Sequence, residues 1–175
     1  MSDYPIEQIR SRFPGLTRRV NGHQAIFFDG PGGSQSPESV GEAVKHYLLH
    51  QNSNVGMSFA TSIETDELIE QTMMACADFL GCTDHREIVF GQNMTSLTIQ
   101  LASALSRTWE PEDEVVVTRS DHDANVRPWV LAAQWSGAKL RWIDIDPTDC
   151  THSIDSVQEN INENTVMVAI GAASN

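Results

Sequence analysis

Four short apolar runs limit what this chain can fold into: "EIVF" at 87–90, "EVVVT" at 114–118, "KLRWIDI" at 139–145 and "TVMVAI" at 165–170. Each gap between them is long enough for a helix and carries apolar residues at helical spacing. Leu97, Leu101, Ala104 and Leu105 occupy the first gap, Trp129, Leu131, Ala132 and Trp135 the second, and Ile154, Val157 and Ile161 the third. A strand that leads through a helix to a further strand returns parallel to the first by a right-handed crossover. The expectation is an α/β fold, a mostly parallel sheet with helices on both faces.

Upstream of these runs the pattern is looser. The first thirty residues predict a short helix, a tight turn at Asn21-Gly22 and a short strand over "QAIFFDG"; Asn-Gly supplies the positive φ that such a turn needs. After "GPGGSQSP", residues 37–50 predict an amphipathic helix with Val40, Val44, Tyr47 and Leu48 on one face, Ser36 at its N-cap and Pro37 in its first position. A second helix follows "FATSIETDE", with Leu68, Ile69, Thr72, Cys76, Phe79 and Leu80 inward and Gly81 as its stop.

Charge narrows the partners. Of the 175 residues 24 are acidic and 11 basic, a formal net charge of −13, and Arg18-Arg19 is the only basic cluster. Phosphate backbones and anionic lipid are bound by clustered Lys and Arg, so neither nucleic acid nor a membrane surface is expected as a partner. No signal peptide or membrane anchor is visible in the first twenty residues. Cys76, Cys82 and Cys150 are odd in number and lack C-x-x-C spacing, which favours a cytoplasmic setting over a disulfide framework or a zinc site.

In open α/β sheets ligands sit outside the carboxyl ends of the strands. Three loops fall there: "GQNMTS" (91–96), "RSDHDAN" (119–125) and "GAASN" (171–175). The first joins a strand to a helix, and two readings fit it: an ordinary N-cap, or a phosphate site using the helix's unpaired N–H groups and the hydroxyls of Thr95 and Ser96. The nucleotide fingerprints G-x-G-x-x-G and G-x-x-x-x-G-K-[ST] are absent. The second loop holds His122 between Asp121 and Asp123. A solvated loop histidine and an imidazole that stacks on an aromatic ligand or moves protons both fit, and nearby carboxylates would favour its protonated form. His46 and His50, one turn apart, have no evident third metal ligand. "GPGGS" (30–34) reads equally as an anion-binding nest or a plain glycine turn.

Taken in order, these loops resemble the fold-type I pyridoxal-phosphate (PLP) enzymes of the class V aminotransferase group, particularly its cysteine desulfurase-like branch. "FFDGPGGSQSPESVGEAV" is similar to that family's opening strand, glycine-rich turn and helix. "IVFGQNMTSLTIQLASAL" is similar to its strand, phosphate loop and helix, and "SDHDANVRPW" to its E-H-x-A-N-x-x-P-W stretch, the most specific of the matches. The resemblance implies that Asn93, Met94 and Thr95 bind the cofactor phosphate, that His122 stacks on the pyridine ring and serves proton transfer, and that Asn175 lies beside cofactor and substrate. It implies a small amino-acid substrate, with cysteine converted to alanine and enzyme-bound sulfur, a homodimer and a sulfur-acceptor protein. Selenocysteine lyase, epimerase, aminotransferase and a non-catalytic α/β binding module are the alternatives.

The sequence departs from that family in two stretches. The phosphate loop has one threonine where the family has two, and "SNVGMSFATS" replaces a more basic segment. The family's Schiff-base lysine, the aspartate facing the pyridine nitrogen and the desulfurase cysteine come later in the chain than residue 175. Neither Lys45, within a predicted helix, nor Lys139, at a strand entry, suits the lysine's role. Residues 36–175 are therefore expected to be an incomplete PLP-binding large domain, preceded by an N-terminal segment of helix, short strand and glycine-rich turn over 1–35. This piece is expected to be inactive alone.

Overall fold

A computed structural model describes residues 4–173 and falls into two compact units, Met1–Val89 and Phe90–Asn175. In the first, helix α1 (Ile6–Arg10) leads to a minimal hairpin of β1 (Arg19–Val20) and β2 (His23–Gln24). Asn21 at φ 52° and Gly22 at φ 81° make its turn, the two left-handed residues that match the twist of paired strands. The expected strand over "QAIFFDG" stops at Gln24. Ile26 and Phe28 are 79% and 94% exposed, so no packed face rewards an extended pairing there.

Helices α2 (Glu38–His50) and α3 (Ala60–Leu80) complete this unit. Pro37, rather than Ser36, sits at the N-cap of α2 and offers no side-chain bond. Gly81 ends α3 in the left-handed conformation, as its sequence position predicts. The inward faces differ from expectation. Val40, Val44 and Leu48 on α2, and Leu68, Phe79 and Leu80 on α3, stay exposed, while Ser62, Thr65 and Ala77 are the buried residues of α3. Helical spacing marks a face that can be buried; whether anything covers it depends on the rest of the fold.

The second unit holds the sheet. Helix α4 (Met94–Leu105) is followed by β3 (Glu114–Thr118), α5 (Arg127–Ser136), β4 (Lys139–Ile143), α6 (Ile154–Asn160) and β5 (Thr165–Ala169). The strand order is β4-β3-β5, parallel throughout, with Val116 opposite Arg141 on one side and Val168 on the other. Every residue of β3 is buried, which is why it reads as an unbroken run of valines rather than an alternation. Residues 87–90 form no strand. Glu87 closes a 3-10 turn capped by Asp84, and Val89 is 71% exposed.

The core of this unit joins Val115 and Val117 to Trp129, Ala132 and Ala133 on α5, Ala102 on α4, Trp109 and Ala169. Small residues let the two helices approach each other and the sheet closely. On α4 the buried position is Ala102, with Leu105 partly buried, while Leu101 and Ala104 face outward. On α5 Trp129 and Ala132 are inside as expected, and Trp135 is exposed.

At the amino end of β3 the Glu114 carboxylate accepts from Asn162 Nδ2 (2.8 Å) and Arg141 Nη1 (3.1 Å). The Asn162 bond first, and then Arg141, holds this carboxyl below the usual glutamate range. Glu114 thereby ties β3 to β4 and to the connection leading into β5, at the end of the sheet opposite His122.

Candidate active site

The loop leaving β3 is fixed from both sides. Its first residue, Arg119, donates its main-chain N–H to Ile143 O (3.1 Å), pairs through Nε with the Asp144 carboxylate, and lays its guanidinium 4.7 Å over the Trp142 ring. Ser120 Oγ lies 2.6 Å from His152 Nε2. On the β5 side Gly171 lies against Asp121: a Cβ there would stand 3.0 Å from Asp121 Oδ1. A cleft of about 300 Å³ opens beside this loop, lined by Thr118, Arg119, Asp121, Asp123, Val126 and Trp142.

The Asp121 carboxylate does not reach the imidazole as the sequence suggested. Oδ1 accepts the main-chain N–H of His122 (2.9 Å), and Oδ2 accepts from Asn125 Nδ2 (3.0 Å) and, at 3.4 Å, from Thr118 Oγ1. Asn125 Oδ1 in turn accepts the indole N–H of Trp129 (3.1 Å), which is 2% exposed. Asp121 and Asn125 therefore form a polar chain from the strand end to the first turn of α5. The signal for this bridge in the sequence is the spacing of four from Asn125 to both Asp121 and Trp129.

His122 is exposed, and its Nδ1 accepts the main-chain N–H of Ala124 (3.0 Å), capping the 3-10 turn Asp123–Asn125. An Nδ1 that accepts carries no proton, so the neutral ring holds its hydrogen on Nε2. The ring plane is held by a backbone bond. Nε2 has no partner among the described residues.

Asn93 caps α4, its Oδ1 accepting Ser96 N–H at 2.9 Å. The N–H groups of Met94 and Thr95 come next in the first turn and have no partner within the helix. Helix α4 packs on the Asp123–Asn125 turn and on α5, which joins the 91–96 loop and the His122 loop in one unit. Gly91 makes the bend possible, because a Cβ there would fall 2.5 Å from Leu97 Cδ2. Asn93, Met94, Thr95 and His122 are thus carried by one packed assembly, whereas Asn175 lies outside the described residues.

The remaining candidates are less pointed. Lys45 pairs with Glu42 (3.1 Å) on α2, and Lys139 opens β4 at the end of the sheet opposite His122. His46 and His50 have ring centroids 4.9 Å apart, and no group of three metal-ligating side chains occurs among the described residues. Gly30–Gly32 form a 3-10 turn. No helix among the described residues is long and apolar enough to cross a membrane.

The family model described as aminotransferase class-V matches residues 26–175. The chain belongs to the class-V aminotransferase family. Among curated relatives, a probable cysteine desulfurase of Streptomyces coelicolor is 32% identical over 97% of this chain and 42% of its own length. Among solved structures, the apo cysteine desulfurase of Thermococcus onnurineus superposes with a TM-score of 0.84 and 28% identity, covering 97% of this chain and 40% of that one. A C-DES mutant with glycine covalently linked to its PLP cofactor shares the fold, with a TM-score of 0.72 and 21% identity over 91% of this chain and 39% of that one. The class-V chain described here thus spans about 40% of the length of these relatives.

Proposed function

We propose that this chain supplies the phosphate-binding and ring-facing part of a PLP-dependent cysteine desulfurase, which converts cysteine to alanine and retains the sulfur on the enzyme. The observation that carries the reading is the fixed imidazole of His122 at the carboxyl end of β3, in one packed unit with the N-terminus of α4. The residues fit the cofactor: the α4 terminus offers two N–H donors and partial positive charge to a phosphate.

PLP, when bound, supplies a conjugated ring that draws electrons from the substrate's α-carbon. This chain's residues bind and orient. Met94 and Thr95 would hold the phosphate through main-chain N–H groups, with the Thr95 hydroxyl as a further donor. His122 would present the face of its ring to the cofactor, with its Nε2 hydrogen available for proton transfer at the substrate. Asp121 and Asn125 keep the strand end and turn from shifting under it. The reading extends to a homodimer, a sulfur-acceptor protein as partner and a cytoplasmic setting, the last from the cysteine pattern.

The test uses the complete protein. Purified with PLP, it is expected to show the visible absorbance of bound cofactor and to release alanine from cysteine. His122→Ala is expected to lower kcat about a hundredfold or more. Alanine release from selenocysteine alone would reassign it to selenocysteine lyase chemistry, and amino-group transfer to an oxo acid would make it an aminotransferase. No bound PLP after reconstitution would overturn the enzyme reading in favour of a binding module.

A further inference from the structure

His152 lies in the β4–α6 connection, 32 positions along the chain from Ser120, which it touches. Its Nδ1 is 3.0 Å from the carbonyl oxygen of Asp144, which can only accept, so Nδ1 carries a hydrogen. In the neutral ring Nε2 then has only a lone pair, and the Ser120 hydroxyl donates to it across 2.6 Å. Both rings of contact meet at Asp144, whose carboxylate holds Arg119 while its carbonyl holds His152. The arm that carries His152 is stiffened by its own bonds. Asp146 N–H donates to Thr151 O, Cys150 N–H to Asp146 O (both 2.8 Å), and the Thr148 hydroxyl and then its N–H hold the Asp146 carboxyl below the usual aspartate range. Ser120 is two residues from His122, and Asp121 between them fixes the His122 main-chain N–H.

We infer that His152, acting through Ser120, is a positioning residue for His122: it clamps the β3 loop to the β4–α6 connection and so sets where the imidazole ring stands. The inference rests on His122 as the cofactor-facing residue, but the clamp itself can be read without cofactor.

In the complete protein, amide hydrogen exchange is measured for His152→Leu, Ser120→Ala and His152→Gln. The loss of one or two hydrogen bonds is expected to speed exchange at His122 and Ala124 about tenfold in the first two, with Val115–Val117 unchanged. His152→Gln, whose amide both donates and accepts, is expected to restore most of the protection. With PLP bound, the cofactor's visible circular dichroism should weaken in His152→Leu and return in His152→Gln, a response that general stabilisation would not produce. Unchanged exchange at His122 and Ala124 in both disruptive variants overturns the clamp. Equal acceleration across Val115–Val117 overturns it too, because it means global loosening. If the unaltered protein binds no PLP, the proposed function fails while the exchange data still decide the clamp.

Discussion

At the scale of single residues the site is held by groups whose purpose lies in their partners. Asn125 bridges a carboxylate and a buried indole, so Asn125→Leu is expected to leave the Trp129 N–H unsatisfied and to cost about 1–3 kcal/mol in urea unfolding. In a Trp129→Phe background Asn125→Leu should cost less than in the unaltered protein, because the indole donor is already gone. Gly91→Ala is expected to displace Leu97 and weaken PLP binding, read by cofactor titration, and adding Leu97→Ala should recover much of the loss. If the double variant binds no better than the single one, the bend itself has been disturbed. His122 was legible in the sequence as an imidazole after a buried strand. That its Nδ1 would face a backbone N–H rather than Asp121 was not, because the bond depends on how the chain turns after residue 122.

Among the elements, β3 is the one most completely specified by its own residues. Three consecutive valines between Glu114 and Thr118 have one stable placement, the middle of a parallel sheet covered on both faces. Its amino end depends on pH. The Glu114 carboxyl titrates lower when folded than when unfolded, so the unfolded chain takes up the proton first as pH falls. The stability it contributes is present above the ordinary glutamate range and is lost as pH drops through the folded value. Glu114→Gln is therefore expected to flatten the acid limb of a Tm-against-pH curve, and an unchanged limb would remove Glu114 from that role. The α4–α5 contact depends on small side chains. Ala102→Leu is expected to cost about 1–3 kcal/mol by overpacking, measured by thermal unfolding. Spacing alone put Leu101 and Ala104 inward on α4; the burial of Ala102 instead follows from where α5 and β3 stand.

For the whole molecule, the two units differ in how far they bury what the sequence offers. The Phe90–Asn175 unit closes a core around β3, whereas Val40, Val44 and Leu48 on α2 and Phe79 and Leu80 on α3 remain open in the other. Exposed apolar faces of this kind promote association. A 1–175 polypeptide produced alone is expected to bind an apolar-surface dye and to sediment as concentration-dependent species, and the complete protein to do neither. A dye-silent monomer would show that these faces need no cover.

Local chemistry was enough for the sequence to determine what depends on neighbours along the chain. The Asn21-Gly22 turn, the Gly81 helix stop, the strands at β3, β4 and β5 and the histidine at the first strand's exit all follow from backbone preferences and apolar runs. The tertiary structure decided whatever needed a distant partner. Residues 87–90 have a strand's composition but no pairing, and "QAIFFDG" stops after Gln24 for lack of a face to pack. Ser120 meets His152 and Gly171 meets Asp121 only because parallel strands bring their exit loops side by side. Those contacts are fixed by sheet order, which no local run of residues encodes.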